Sequence, residues 1–271
     1  MSYKNTILEK IVEAKKEEIS SSRYRESLAD LKAKALGAEP SRDFAKALNP
    51  SAFQGELPAT RVIAEIKKAS PSAGVIVPHY DPIQIARIYL EAGAAALSIL
   101  TDPSFFQGSL DHLKAVRKIS QRPLLRKDFI LEPYQVYQAR AYGADCILAI
   151  VAILEGQQIV DLCGLAGELG MTSLIEVHDR EEISKVLPVK QGKILLGINN
   201  RDLKSLKVDL KTTEELRPLI PSGIPVVAES GFSRREEIER LQKAGVDGFL
   251  IGETFLRAKD IKAKFRELVN S

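Results

Sequence analysis

The sequence predicts an α/β fold, a closed (β/α)8 TIM barrel preceded by an N-terminal helical extension, on three observations. From Arg61 onward, eight short apolar runs alternate with amphipathic stretches. The runs recur roughly 22 to 33 residues apart, the repeat of strand–loop–helix units. Ionisable or amide side chains close several of the runs, always at the C-terminal end.

The runs are Val62–Lys67, Ala95–Thr101, Pro123–Lys127, Cys146–Val151, Thr172–Val177, Ile194–Asn199, Pro225–Glu229 and Gly248–Ile251. Several are apolar throughout, as parallel strands covered on both faces are. Between them, Pro82–Ala92 sets Ile85, Ile88 and Tyr89 on one helical face and stops at Gly93. Arg234–Ala244 ends at Gly245 in the same way, with Ser233 as its expected N-cap and Glu236 completing a capping box. An open doubly wound sheet is the competing arrangement, but no Gly-x-Gly-x-x-Gly turn follows the first run.

Residues 1–60 differ in character and read as a helical extension packed on the 61–271 barrel, not as a separate domain. Asn5–Ser20 carries Ile7, Leu8, Ile11 and Val12 as an apolar stripe, and Arg23–Leu36 carries Leu28, Leu31 and Leu36. The charge runs Lys15–Glu18 and Arg23–Glu26 read as solvated helix faces. Pro40, Pro50 and Pro58 punctuate the stretch between these helices and the first apolar run.

Composition narrows the function. With 45% hydrophobic residues in 271, the chain can fill one large core, within the size range of a one-domain barrel. A net charge of +3, from 39 basic and 36 acidic residues, is close to balance, and no basic block with interleaved aromatics argues for nucleic acid. The small cationic excess would favour an anionic metabolite. Cys146 and Cys163 have no metal or redox spacing, and Cys146 reads as a buried structural thiol. Met1–Lys10 lacks the apolar centre of a signal peptide, and no run is long enough for a membrane span. A monomer in the cytoplasm, with no membrane partner, is the expectation. His112 reads as helix surface, His79 as loop, and His178 as lying just past the fifth strand; no metal site is expected.

Side chains alternate along a strand, so Glu65 and Lys67 share a face with Ile63, while Ala64 and Ile66 point to the helices. The same parity groups Lys127 with Leu125, Glu176 with Leu174, Asn199 with Gly197, and Glu229 with Val227. One such residue would read as a structural salt bridge. Six from five strands, all at C-terminal ends, read as one polar cavity at the barrel rim, where barrel active sites lie. Lysines beside carboxylates stay protonated and can donate protons, a contribution of roughly 10²–10⁴-fold to a rate. The set suits a reaction with several proton transfers better than hydride transfer or metal-assisted hydrolysis.

Glu229-Ser230-Gly231 and Ile251-Gly252-Glu253 end the last two strands, and glycine there lets backbone N–H groups approach an anion. Ser70, on the loop after the first strand, would reach the same anion, whereas Gly74 reads as an ordinary turn residue. Phe105, Phe106 and Phe129 follow the second and third strands; from the residues alone they are either loop packing or a flat pocket for an aromatic ring.

Eight stretches then carry a resemblance: AEIKKASPSAG (64–74), TDPSFFQGSLDHL (101–113), LLRKDFILEPYQVYQAR (124–140), GADCILAIVAIL (143–154), LIEVHD (174–179), LGINNRDL (196–203), VVAESG (226–231) and FLIGETF (249–255). In this order they resemble the indole-3-glycerol-phosphate synthase family, from about Arg61 to the C-terminus, and the N-terminal helical extension is also a family trait. The resemblance implies a carboxy-lyase of tryptophan biosynthesis acting on a phosphorylated aromatic substrate without a cofactor. It implies Lys127 as general acid for ring closure, oriented by Glu65. Lys67 would bind the anionic substrate and share proton transfer, and Glu176 would serve dehydration. Asn199 and Glu229 would bind sugar-derived hydroxyls, with Arg201 as a supporting charge. It also implies a phosphate site at Ser70, Ser230, Gly231, Gly252 and the Glu253 amide, and an aromatic wall of Phe106, Phe129, Leu148 and Ile150.

Pro78-His79-Tyr80-Asp81 departs from the family's more usual acidic-aromatic pair, which bears on loop closure. The chain stops soon after the eighth helix, so no fused isomerase or amidotransferase domain is expected. Two rival readings stay open: a Schiff-base enzyme using Lys67 or Lys127 as nucleophile, and a non-catalytic phosphometabolite sensor on a retained barrel.

Overall fold

The apolar runs pair side by side because each is covered on both faces, by the barrel interior on one and by helices on the other. The computed structural model describes residues 6–49, 60–203 and 205–269. Its barrel strands are β1 (Val62–Ile66), β2 (Ala96–Leu100), β3 (Leu124–Lys127), β4 (Cys146–Ile150), β5 (Thr172–Val177), β6 (Lys193–Asn199), β7 (Val226–Glu229) and β8 (Gly248–Ile251). All neighbours pair in parallel, and β1 closes the ring between β8 and β2. A short antiparallel hairpin, Ala69–Ser70 with Gly74–Val75, stands on the rim after β1. Register brings the strand ends level: Asn199 faces Glu229, Glu176 faces Gly197, and Leu100 faces Lys127.

The helices are α1 (Ile7–Arg25), α2 (Leu28–Leu36), α3 (Phe44–Leu48), α4 (Pro82–Ala92), α5 (Pro103–Phe106), α6 (Leu110–Ile119) and α7 (Pro133–Ala141). They continue with α8 (Gly156–Glu168), α9 (Arg180–Val186), α10 (Lys211–Leu216), α11 (Arg235–Lys243), α12 (Glu253–Leu256) and α13 (Ile261–Val269). Helix α4 shows how local chemistry sets the bounds. Asp81 accepts from the Ile83 and Gln84 amides, Pro82 opens the first turn, and Gly93 ends it at φ 97°. The expected cap of α11 is off by one residue: Arg234 is the N-cap, and Glu237, not Glu236, accepts the Ser233 and Arg234 amides. Glu236 points elsewhere because the helix starts one residue later than the apolar periodicity alone implies. Among the described residues, no helix is long and apolar enough to cross a membrane.

The N-terminal segment wraps the barrel from rim to base. Helix α1 lays Leu8 and Val12 on the main core, while Ile19 joins Leu31 and Tyr134 in a satellite cluster. Helix α1 runs through to Arg25, and α2 begins only after Ser27, whose hydroxyl accepts the Asp30 amide. Leu36 is exposed, so the second stripe buries Leu31 and Ala35 instead. At the base, the Arg42 amide donates to Asp145, whose buried carboxylate also takes Arg117 and the Leu124 amide. Asn5, Pro50 and Pro58 lie outside the described residues.

Lys15 corrects the expectation of a solvated charge run. It is 1% exposed, with its ammonium 2.9 Å from Asp102, 2.8 Å from Asp128 and 2.6 Å from Glu18. Asp102 and Asp128 follow β2 and β3, and Asp128 also holds Arg126 at 2.9 Å and accepts from the Thr101 hydroxyl. Burial pulls the Lys15 ammonium down, but the Asp128, Asp102 and Glu18 carboxylates outweigh it and hold the group above the usual lysine range. Glu18 and the Arg23–Glu26 run remain partly or fully exposed, as expected of a helix surface. Lys15→Ala leaves two buried aspartates short of a cation and is expected to cost roughly 3–5 kcal/mol in chemical denaturation. Glu132→Ala, which breaks the exposed pair with Arg23, is expected to cost less than about 1 kcal/mol in the same assay.

Candidate active site

Lys127 ends β3 with its ammonium between two glutamates, 2.9 Å from Glu176 Oε2 at the end of β5 and 2.6 Å from Glu229 Oε2 at the end of β7. The three side chains are 14%, 4% and 2% exposed. At this depth the ion contacts act in a low dielectric and the unpaired alternative is costly. Burial alone would discharge Lys127, but Glu176, Glu229 and Glu65 outweigh it and hold the ammonium well above the usual lysine range.

The two glutamates sit in unlike surroundings. Burial raises Glu176, yet Lys127 and His178 outweigh it and bring the carboxyl below the usual range. Glu176 Oε1 also accepts from Asn199 Nδ2 at 3.3 Å. Burial pushes Glu229 up to about 7, with the neighbouring Glu176 charge adding to the rise and Lys127 only partly offsetting it. Among the described residues Glu229 Oε1 has no hydrogen-bond partner, and it occupies the space where a side chain on Gly197 would begin.

Glu65 differs from expectation. Its carboxylate accepts from Lys67 at 2.6 Å, and it acts on Lys127 through charge alone. The cause is position: Lys67 lies two residues on along the same face, nearer than a lysine across the barrel. Asn199 Oδ1 accepts the Arg201 amide at 3.0 Å, and the Arg201 guanidinium donates to the Leu206 carbonyl.

These groups share one cavity. Its lining takes in Glu65, Lys67, Lys127, Glu176, Asn199, Arg201 and Glu229. On one side stand Ser70, Ser230, Gly231, Gly252 and Glu253. Ser230 and Gly231 both have positive φ, 69° and 94°, so the chain turns sharply after β7, and Gly231 packs where a larger residue would strike Val208. The Ser70 hydroxyl accepts the Ala73 amide at 3.3 Å within the rim hairpin. On the other side are Leu148, Ile150, Phe106 and Phe129, the two rings 6.1 Å apart and tilted by 41°. Phe105 is half-buried and does not line the cavity.

Sequence reasoning missed three groups at the site. Ile7, Leu8 and Ile11 of α1 reach over the mouth, as do Leu203 and Leu206 after β6. Their apolar character is legible, but nothing in the periodicity tells which part of the barrel α1 covers. His178, beside Glu176 and just outside the lining, is the third.

The family model described as indole-3-glycerol phosphate synthase matches residues 8–268. The chain belongs to the indole-3-glycerol phosphate synthase family. A relative of that name from Bordetella pertussis is 46% identical over 98% of this chain and 99% of its own length. Another from Dehalococcoides mccartyi is 51% identical over 77% of this chain and 81% of its own. Among solved structures, 3-hexulose-6-phosphate synthase from Salmonella typhimurium superposes with a TM-score of 0.62 over 77% of this chain and 96% of that one. At 11% identity that likeness bears on the fold alone.

Gly197→Ala tests the packing of Glu229 without touching an ionisable group. The added methyl displaces the Glu229 carboxylate, and a misplacement of this size is expected to lower kcat on the order of 100-fold. Circular dichroism is expected to show the barrel intact, and unchanged turnover would refute the steric argument.

Proposed function

We infer that this chain performs the reaction of its family through Lys127, Glu176 and Lys67. As a member of that family it is a carboxy-lyase of tryptophan biosynthesis. It converts 1-(2-carboxyphenylamino)-1-deoxyribulose 5-phosphate to indole-3-glycerol phosphate, releasing carbon dioxide and water. The observation that carries the residue assignment is the Lys127 ammonium between Glu176 and Glu229, in a cavity shared with an anion cradle and an aromatic pair.

The substrate's phosphate is read into the Ser70, Ser230, Gly231, Gly252 and Glu253 corner, where backbone amides and a hydroxyl can face it. Its aryl ring is read against Phe106, Phe129, Leu148 and Ile150. Between these anchors lies the ketone, beside Lys127. The aryl carbon attacks the carbonyl carbon, and Lys127 protonates the oxygen that becomes a hydroxyl. The ring carboxylate then leaves as carbon dioxide, returning its electron pair to the ring. Lys67 protonates the departing hydroxyl, which leaves as water, while Glu176 takes the proton lost from the neighbouring carbon of the new ring. Lys67, paired with Glu65, binds the substrate carboxylate and assists proton transfer. Asn199 and Glu229 hold the sugar-derived hydroxyls, with Arg201 in support. In this reading residues 61–271 carry the chemistry, and α1 of the N-terminal extension covers part of the mouth through Ile7, Leu8 and Ile11.

A Schiff-base route needs a neutral lysine. Lys127 between two carboxylates is held as the ammonium, and Lys67 has a glutamate at 2.6 Å. Borohydride with substrate is therefore expected to trap no adduct. We read the working unit as a monomer. The unbridged Cys146 and Cys163 fit a reducing, cytoplasmic setting.

The chain has no tryptophan, so formation of the indole product is readable against low intrinsic emission. Wild-type protein is expected to turn over; tight substrate retention without product would support the sensor reading instead. Lys127→Ala is expected to lose about 10²–10⁴-fold in kcat while still binding a substrate analogue, because its contribution is to the transition state. Near-normal turnover in that variant would remove Lys127 from the chemistry. Glu176→Gln is expected to fall by a similar factor of about 10² or more and to accumulate an intermediate before dehydration.

A further inference from the structure

The imidazole of His178 stands between two carboxylates behind the cavity wall. Its Nδ1 is hydrogen-bonded to Glu182 Oε2 at 3.1 Å, and its Nε2 lies 3.3 Å from Glu176 Oε1, an ion contact without hydrogen-bond alignment. The His178 side chain is 12% exposed, and those of Glu176 and Glu182 are 4% and 8% exposed. Glu182 Oε2 also accepts the His178 backbone N–H at 2.7 Å, so one oxygen fixes both the ring and the main chain. Asp179 caps α9 through the Glu182 amide, which sets where Glu182 stands.

A neutral imidazole offers Glu176 no charge, whereas an imidazolium bonded to Glu182 through Nδ1 sets a cation beside Glu176 Oε1. Burial opposes the charge, but Glu176 and Glu182 outweigh it and raise the ring to about 10. The charged groups around it are Glu176 of β5 and Glu182 of α9, with Lys127 and Glu229 beyond Glu176. His178 stands behind Glu176, outside the cavity lining.

The contact gives Glu176 a second cation besides Lys127. Glu176 Oε1 faces His178 and Asn199, whereas Glu229 Oε1 has no donor among the described residues. We propose that His178, held as an imidazolium by Glu182, is a positioning residue that keeps Glu176 ionised and turned, Oε1 toward His178 and Asn199 and Oε2 toward Lys127. This role deepens the proposed reaction and rests on it for the part played by Glu176.

The first test needs no turnover, which separates its failure from failure of the proposed reaction. The chain has three histidines, so the His178 ring signals can be assigned by their loss in His178→Gln. By NMR on the wild-type protein, His178 is expected to stay protonated at about pH 8.5, where an ordinary imidazole is neutral. A neutral His178 ring at that pH overturns the proposal. Glu182→Gln is expected to lower the His178 titration by about one pH unit or more; an unmoved titration overturns it as well.

The second test is kinetic. His178→Gln is expected to lose about tenfold in kcat with KM changed by less than about twofold. The acid limb of its kcat–pH profile is expected to move to higher pH, because Glu176 loses a cation that favours its ionised form. His178→Lys restores a cation and is expected to move the limb back. A limb that stays in place in folded His178→Gln overturns the proposal, since a merely structural histidine changes the folded fraction and not this limb. Stability gives a third signature. The ring is protonated when folded and neutral when unfolded between about pH 6.5 and about 10. Its contribution is therefore complete below about pH 6.5 and is lost as pH rises toward about 10, and His178→Gln is expected to flatten that slope.

Discussion

The site depends on holding one buried ammonium against more buried carboxylate than it can neutralise. Glu65, Lys127, Glu176 and Glu229 end β1, β3, β5 and β7. In a closed barrel, alternate strands supply the four side chains of one interior layer. Two residues lower, Ile63, Leu125, Leu174 and Val227 are fully buried and apolar. The same parity that fills the barrel with hydrocarbon thus places three carboxylates and one lysine in its topmost layer. An open sheet could not bring these four ends together, so the chemistry depends on closure. Charge in that layer is met from its edges, by Lys67 on Glu65 and by His178 on Glu176. Glu229 has no second cation among the described residues, and burial, with the Glu176 charge beside it, raises its proton affinity.

A second charged system lies on the other face of the same strand. Arg126 and Asp128 flank Lys127; Arg126 lies off the cavity lining, and Asp128 at its edge binds both Arg126 and Lys15 of α1. Removing that lysine would strand Asp102 and Asp128 behind the strand that carries Lys127, which is why its cost is set well above that of the exposed Arg23–Glu132 pair. Burial of this kind gives no large net stability, since desolvation offsets most of the attraction. It does fix register: only one placement of α1 pairs Lys15 with both aspartates while laying Ile7, Leu8 and Ile11 over the mouth. Helix α1 is therefore tied to the rim by charge and shaped to it by apolar side chains.

The legible and the hidden parts of the molecule divide along a physical line. Strand positions are legible because continuous apolar runs bounded by polar ends have few other uses. The convergence of Lys127, Glu176 and Glu229 is legible because parity and strand order are both discrete. Partner choice within the rim is not: the family resemblance makes Glu65 the group that orients Lys127, yet Glu65 bonds Lys67, since the nearest cation depends on side-chain reach that parity does not encode. Lys15 reads as solvated because it opens a run of charges. Its spacing from Leu8, Ile11, Val12 and Ile19 puts it on the buried stripe, and that periodicity is the better guide. His178 lies just past a strand, and its significance depends on Glu182, which a helix cap brings back to it.

Glycines at the rim serve the carboxylates as much as any ligand. A side chain at Gly197 would strike Glu229, and one at Gly252 would come within 2.6 Å of Glu65 Oε1. Gly252 belongs at once to the proposed anion cradle and to the packing of the charged layer. An anion seated there lies next to the Glu65–Lys67 pair, and its charge would favour a cation in reach. Lys67, with its flexible stem and a single carboxylate partner, is the group able to answer that field, whereas Lys127 is already fixed by two. Lys67 faces one carboxylate and Lys127 two, and in the proposed reaction that difference leaves Lys67 free to follow the substrate while Lys127 is held still for the chemistry.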